Sequence, residues 1–148
     1  MAERVRGEQY RNIRLCVDSY DQGVMKGRFY HPSLEDGGCG FQSLVQLLLQ
    51  IEQLLDSINY PQAYTAKRTF APTSELHLTT GEGGLSRTGK KATFLIRLMF
   101  RQHASWQGSV TWVEGKGEQT FRSVLELVLL MDSALGGCLE GGEEEAEA

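Results

Sequence analysis

Cysteine, histidine and proline are scarce in this chain of 148 residues, and the few present are not grouped. The three cysteines, Cys16, Cys39 and Cys138, form no C-x-x-C pair and have no histidine at metal-ligand spacing. A disulfide framework or a zinc centre requires such grouping. We therefore expect three reduced thiols, no metal site and no cofactor.

Long apolar runs are also missing. The two longest, Leu44–Leu55 and Val124–Met131, are shorter than a membrane span and contain Gln or Glu. The first fifteen residues contain no apolar stretch of the length found in signal peptides. These features predict a cytoplasmic protein that does not associate with a membrane.

Most of the chain lacks an excess of either charge sign. The formal net charge is −4, but five of the 19 acidic residues follow Gly137, where no basic residue occurs. The rest of the chain is therefore about neutral, whereas nucleic-acid-binding domains are usually basic. The segment 137–148 is rich in glycine and glutamate, and this composition predicts a disordered acidic tail.

What the sequence does contain is a repeated pattern. The segment "FQSLVQLLLQIEQLL" (41–55) matches "FRSVLELVLLMDSAL" (121–135), and "IRLCVD" (13–18) matches "IRLMFR" (96–101). Between these blocks, "MKGRFYH" in the first copy matches "WQGSVTW" in the second. Three ordered matches at nearly constant spacing predict an internal duplication.

Each repeat has the pattern of two strands followed by a helix. Phe94, Ile96 and Leu98 recur at every second position, which is typical of a half-buried strand. The helices are predicted to begin at Phe41 and Phe121. Two such units predict an α+β fold with a four-stranded antiparallel sheet and two helices on one face, related by a pseudo-twofold axis. The predicted organisation is one domain (1–136), with repeats at about 11–58 and 92–136, a connection at 59–91 and a disordered tail at 137–148.

Two kinds of small residue recur at matched positions in the repeats. Gly27 and Gly108 lie on the inward face of the second strand, where a missing side chain predicts a helix that crosses closely or a bend in the strand. Ser43 and Ser123 lie at the start of each helix, where a serine usually satisfies backbone donors. Neither a nucleophile with a base nor a pair of carboxylates is evident, so we predict no catalytic residue.

The candidate binding surface is the sheet face turned away from the helices. Strand alternation places five cations and one tyrosine there: Arg14, Lys26, Arg28, Tyr30, Arg97 and Arg101. Such cations could hold phosphates, and the tyrosine ring could stack on a base. The other interpretation is a solvated face on which Lys and Arg protect the sheet edges.

The second repeat carries a resemblance to other proteins. The strings "RQHASWQGSVTW" (101–112) and "FRSVLELVLLMDSAL" (121–135) resemble a signature of small bacterial proteins of unknown function. The resemblance implies a bacterial, cytosolic protein and carries no activity.

The predicted helices are more apolar than one buried stripe requires, since only Glu126 is polar between Val124 and Met131. The additional apolar surface indicates helix–helix packing or a dimer interface. We therefore predict a non-enzymatic binding or assembly module that forms a homodimer or binds a protein partner. The alternatives are a nucleic-acid or polyanion binder that uses the basic sheet face, and a small enzyme with a pocket near Trp106, Trp112 and His103.

Overall fold

The computed structural model describes residues 8–34, 38–63, 70 and 88–136. Within these residues the chain forms one six-stranded antiparallel sheet and two α-helices, preceded by a short 3-10 helix. The strands are β1 (Asn12–Asp21), β2 (Val24–Tyr30), β3 (Cys39–Phe41), β4 (Ala92–Phe100), β5 (Gln107–Trp112) and β6 (Gly117–Phe121). The 3-10 helix is Glu8–Arg11, and the two α-helices are α1 (Leu44–Ile58) and α2 (Val124–Ala134).

The strands lie in the order β3-β2-β1-β4-β5-β6, so each half of the chain contributes three neighbouring strands and then one helix. β1 and β4 pair at the centre of the sheet, with Arg14 opposite Leu95. The prediction of an α+β fold with an antiparallel sheet and two helices is confirmed. The prediction of four strands is wrong, because two edge strands, β3 and β6, extend the sheet beyond β2 and β5.

Both missed strands end where a helix was expected to begin. Phe41 is the last residue of β3 and lies opposite Gly27, and Phe121 is the last residue of β6 and lies opposite Gly108. Both strands are flanked by glycines and charged residues, and the low strand propensity of these residues predicts a loop. Their partner strands override that preference by completing the backbone hydrogen bonds.

The helices begin three residues later than predicted, after matched serine caps. The Ser43 side chain accepts a hydrogen bond from the Gln46 N–H at 3.0 Å, and the Ser123 side chain accepts one from the Glu126 N–H at 3.2 Å. Each serine thus satisfies a backbone donor that the first helical turn leaves without a partner. The structural role predicted for these two serines is confirmed.

A single apolar core lies between the sheet and both helices. Leu15 and Phe94 face each other across the central strand pair, and both are buried. They join one cluster with Leu47 of α1 and Leu127 of α2. Because both helices pack on this one cluster, they cover the same face of the sheet, and no described helix lies on the other face.

The two matched glycines allow close approach between neighbouring strands. Gly27 in β2 and Gly108 in β5 each lie beside a register shift in the adjacent strand. A Cβ atom at Gly27 would be 2.0 Å from the Cys16 carbonyl oxygen, and one at Gly108 would be 1.9 Å from the Arg97 carbonyl oxygen. Only glycine avoids this clash, so the backbone of the neighbouring strand, and not the predicted helix crossing, explains both glycines.

Two predicted segments are described only in part or not at all. Of the connection 59–91, residues 64–69 and 71–87 lie outside the described residues, and the preceding part adds one isolated bridge between Ala63 and Arg101. The predicted disordered tail, 137–148, also lies outside them. Neither described α-helix is long and apolar enough to cross a membrane.

Candidate functional site

The outer face, meaning the sheet surface opposite the helices, has a mixed chemical character. Its central row runs from Tyr30 through Arg14 and Leu95 to Thr111, one residue from each of four adjacent strands. Arg14 is half-buried, and Leu95 is 38% exposed. The centre of the face therefore combines a cation with an accessible aliphatic side chain.

Among the predicted cations on this outer face, three belong to three different strands. Arg14 is in β1. Lys26 is in β2, opposite Ser19 of β1, and Arg97 is in β4, opposite Ser109 of β5. Lys26 is exposed, whereas the other two are half-buried. With Arg28 and Tyr30, which lie on the same face, the structure brings together five of the six predicted residues.

Arg28 lies on the same face but is committed to local contacts. Its Nη1 lies 2.7 Å from Asp18 Oδ2, and its Nε donates to the Tyr30 hydroxyl at 2.9 Å. A third bond joins Nη2 to the Thr88 carbonyl oxygen at 3.2 Å. Burial disfavours the charged guanidinium, but the bonds to Tyr30 and Asp18 outweigh it, and the pKa of Arg28 is raised. This network holds Arg28 in place as part of the fold.

Tyr30 lies on this face but offers little ring surface. It is only 4% exposed, and the Arg28 guanidinium carbon lies 5.9 Å from its ring centre. A base that stacks on a tyrosine needs an open ring face. The burial of Tyr30 therefore removes the physical basis for the predicted stacking role.

The placement of Arg101 on the outer face is wrong. A register shift at the end of β4 changes the alternation, and Arg101 turns toward the helices, where it is 2% exposed. Its Nη1 lies 2.8 Å from Asp56 Oδ1 and 3.2 Å from Glu52 Oε2, and its Nε donates to the Pro61 carbonyl oxygen at 2.6 Å. Arg101 is therefore a buried link between β4 and α1.

The residues proposed for an enzyme pocket do not converge. Trp106 is buried, and its Nε1 donates to Glu52 Oε1 at 2.7 Å. Trp112, at the opposite end of β5, lines a separate groove, and His103 is exposed in a turn. Within residues 8–34, 38–63 and 88–136, no three His, Cys, Asp or Glu side chains are grouped to hold a metal ion.

The outward surfaces of the two helices, here called the helix layer, expose large aliphatic side chains. Val45 and Leu49 of α1 are 65% and 51% exposed, and Leu125 and Leu129 of α2 are 65% and 57% exposed. In each helix the pair lies two and six residues after the capping serine, so both pairs have the same position. The two residues of each pair are one helical turn apart and therefore adjacent, and contiguous exposed apolar patches are typical of contact surfaces.

The acidic side chains of the helix layer are already engaged. Each of the four helix acids accepts a hydrogen bond: Glu52 and Asp56 from Arg101, Asp132 from Tyr20, and Glu126 from Arg122. Because these carboxylates have partners, the aliphatic pairs lie on a surface with little uncompensated charge.

A groove runs between the edge strand β6 and α2. Its volume is about 250 Å³, and Phe94, Val110 and Trp112 contribute apolar walls. Leu130 lines it from α2, and Gln119 lines it from β6. The four residues from Gly117 to Thr120 are exposed, and no strand of the described part of the chain pairs with the outer edge of β6. Sequence reasoning missed this feature because it did not identify β6.

These features define a two-layer α+β protein with an open sheet edge and an apolar helix layer. Comparison of the chain with protein-family models, with curated protein sequences and with solved structures gives no match. The resemblance of the second repeat to small bacterial proteins therefore stays a prediction.

Proposed function

We propose that this protein is a non-enzymatic assembly module that forms a homodimer and contacts proteins through its helix layer. The observation that carries the proposal is the recurrence of an exposed aliphatic pair at the same position on both helices: Val45 with Leu49, and Leu125 with Leu129. Burying a large aliphatic side chain contributes roughly 1.5–3 kcal/mol, so four such residues supply a driving force for association.

The test compares the oligomeric state of the wild type with that of two charge-bearing variants. Size-exclusion chromatography with light scattering should give twice the chain mass of 16.5 kDa for the wild type at micromolar concentration. Leu125→Lys/Leu129→Lys and Val45→Lys/Leu49→Lys place two charges on one helix each. At least one of them should shift the mass toward that of the monomer, because a buried unpaired charge is costly.

The matched control is Gln22→Lys/Gln62→Lys, which adds the same two charges at exposed polar positions outside both helices. This variant should behave like the wild type. A wild type that stays monomeric up to about 1 mM would overturn the homodimer, since a functional interface of ordinary size associates well below that concentration.

A second candidate function is supported by the cations of the outer face. Lys26 is exposed on it, and the exposed Lys90 lies beside it, with its backbone N–H donating to Asp18 Oδ1 at 3.0 Å. Together with Arg14 and Arg97, these residues could bind a polyanion such as a nucleic acid. We rank this function second because Arg28, Tyr30 and Arg101 are engaged within the fold.

The polyanion candidate is tested by salt elution from heparin. Lys26→Gln/Lys90→Gln should elute at lower salt than the wild type, because each lost phosphate contact reduces the salt dependence of binding. Gln42→Glu/Gln62→Glu changes the net charge by the same amount away from the outer face and should elute close to the wild type. The absence of retention at low salt for the wild type would exclude this function.

We also infer that the two halves arose by duplication of one unit and are related by a pseudo-twofold axis at the β1–β4 pair. The support is their common element order, with a glycine at a matching bulge in each. The ladder places Val17 opposite Gly27 and Leu98 opposite Gly108. Val17 therefore corresponds to Leu98. The sequence match of "IRLCVD" with "IRLMFR" aligns Val17 with Phe100 instead, so the structural correspondence differs from the sequence match by two residues. We further propose that the protein is bacterial and located in the cytoplasm.

A further inference from the structure

The two edges of the sheet differ in how easily another strand can pair with them. β3 has three residues, and two of them, Cys39 and Phe41, are buried. β6 has five residues, and all except Phe121 are exposed. An open edge strand presents unpaired backbone donors and acceptors to any extended chain, whereas a short edge strand offers few. β6 is therefore the edge at which the sheet can be extended.

The helix beside this edge carries the apolar surface that such an extension would bury. Thr120 of β6 and Leu129 of α2 line the same depression, so the exposed leucine lies next to the open strand. Gln119 of β6 and Leu130 of α2 also line the β6–α2 groove beside the same strand. Strand pairing alone would leave these apolar atoms in water, and a partner with two layers would cover them.

We propose that a second copy of this chain pairs with β6, antiparallel and centred on Gln119, so that the dimer has one continuous sheet of twelve strands. This inference rests on the homodimer proposed above and identifies its interface. The second copy fits because it brings its own α2 to the same side of the sheet. An isolated peptide strand would not bury the leucines.

The proposed centre follows from the residues of β6. Centring the twofold axis on Gln119 pairs all five residues, with Gly117 opposite Phe121 and Glu118 opposite Thr120 of the second copy. Centring it on Glu118 would instead place two carboxylates directly opposite each other, which is unfavourable. In the Gln119 register, facing side chains share one face, so both helix layers lie on the same side and the two α2 helices become neighbours.

The short β3 edge explains why association would stop at two copies. If both edges were open, each dimer could add further chains and form a fibre. With β6 as the accessible edge, a twofold pair uses it completely. The seam is only five residues long, so we expect dimerisation that depends on concentration in the micromolar range.

The test is a charge exchange at the proposed axis. In Gln119→Lys or Gln119→Glu, the new charge would face its own copy across the seam, and dimerisation should weaken by about tenfold or more. An equimolar mixture of the two variants should recover a dimer, because each lysine then faces a glutamate. Thr111→Lys and Thr111→Glu are controls, since residue 111 lies one strand inside the edge. Circular dichroism verifies that all variants keep the fold.

A second measurement does not depend on charge. Gln119→Cys, in a Cys138→Ser background, should form an intermolecular disulfide on mild oxidation, because residues at the axis lie about 4.5–5.5 Å apart between Cα atoms. Ser109→Cys in the same background should not cross-link.

The outcomes separate this inference from the proposed function. A monomeric wild type overturns both the homodimer and its seam. The β6 seam alone is overturned if the wild type is dimeric and both Gln119→Lys and Gln119→Glu dimerise as strongly as the wild type, with no excess of the mixed dimer when they are combined. The homodimer would then use another surface.

Discussion

Cys16 shows how the neighbours of a side chain determine its chemistry. It lies on the outer face of β1, opposite Arg28 and Thr93, and is fully buried. This burial raises the pKa of the Cys16 thiol, although Arg28 and Arg14 partly oppose the effect. A buried, protonated thiol is a poor nucleophile.

The prediction is that the buried thiols resist modification in the folded protein. In a Cys138→Ser variant, Ellman's reagent at pH 8 should detect almost no thiol before unfolding and two thiols, Cys16 and Cys39, afterwards. Rapid reaction of either thiol in the native protein would contradict the burial on which this expectation rests.

Gly108 provides a second test at the scale of one residue. Gly108→Ala would place a Cβ atom 1.9 Å from the Arg97 carbonyl oxygen, so β4 or β5 must shift. We expect the free energy of unfolding to fall by about 2–4 kcal/mol, as for other strained core substitutions. Gly117→Ala is the matched control, because a Cβ there has no neighbour within 4 Å. Urea titration of both variants measures the difference, and equal stability would contradict the proposed clash.

The sequence predicts residue roles well where the cause is local. The caps at Ser43 and Ser123 follow from the preference of serine for the first turn of a helix, and the structure confirms them. The role of Gly108 depends on a strand that is distant in sequence. The missing side chain was evident, but the strand backbone that requires it was not.

The helices and the sheet are joined at matching places. The Tyr20 hydroxyl in β1 donates to Asp132 of α2 at 2.5 Å, and Arg101 after β4 contacts Glu52 of α1. The end of each central strand therefore holds the helix of the other half.

These two links should differ in strength. Arg101→Met removes the cation that balances Glu52 and Asp56, and we expect a loss of about 2 kcal/mol. That is less than for fully buried pairs, because the side chains of Glu52 and Asp56 keep 27% and 39% exposure. Tyr20→Phe removes one hydrogen bond and should cost about 1 kcal/mol. The denaturant midpoints of both variants measure the two losses of stability. A larger loss for Tyr20→Phe than for Arg101→Met would contradict the predicted order.

At the scale of elements, periodicity predicts β1, β2, β4, β5 and both helices, because each has a buried face with a regular repeat. It does not predict β3 and β6, whose residues are few, glycine-rich or exposed. Strict alternation also fails at a bulge, which the sequence does not reveal. This failure misplaced Arg101, whereas Arg14 and Arg97, before the bulges, lie where alternation puts them.

At the scale of the whole molecule, one core joins both halves, so we expect a single cooperative unfolding transition. Amide hydrogen exchange should be slowest in β1 and β4, which lie at the centre of the sheet, and faster in the edge strand β3. Separate exchange behaviour of the two halves would show that they unfold independently and would contradict a shared core.

The pairing of β1 with β4 has a consequence for how the polypeptide could be divided. The central ladder and the crossed links from Tyr20 and Arg101 join one half to the other. If the chain were cut between residues 64 and 87, each fragment would expose its half of the apolar core and would lack the central strand and the helix that cover it. The fragments should reconstitute the native shape only when mixed, which makes the protein suited to complementation assays.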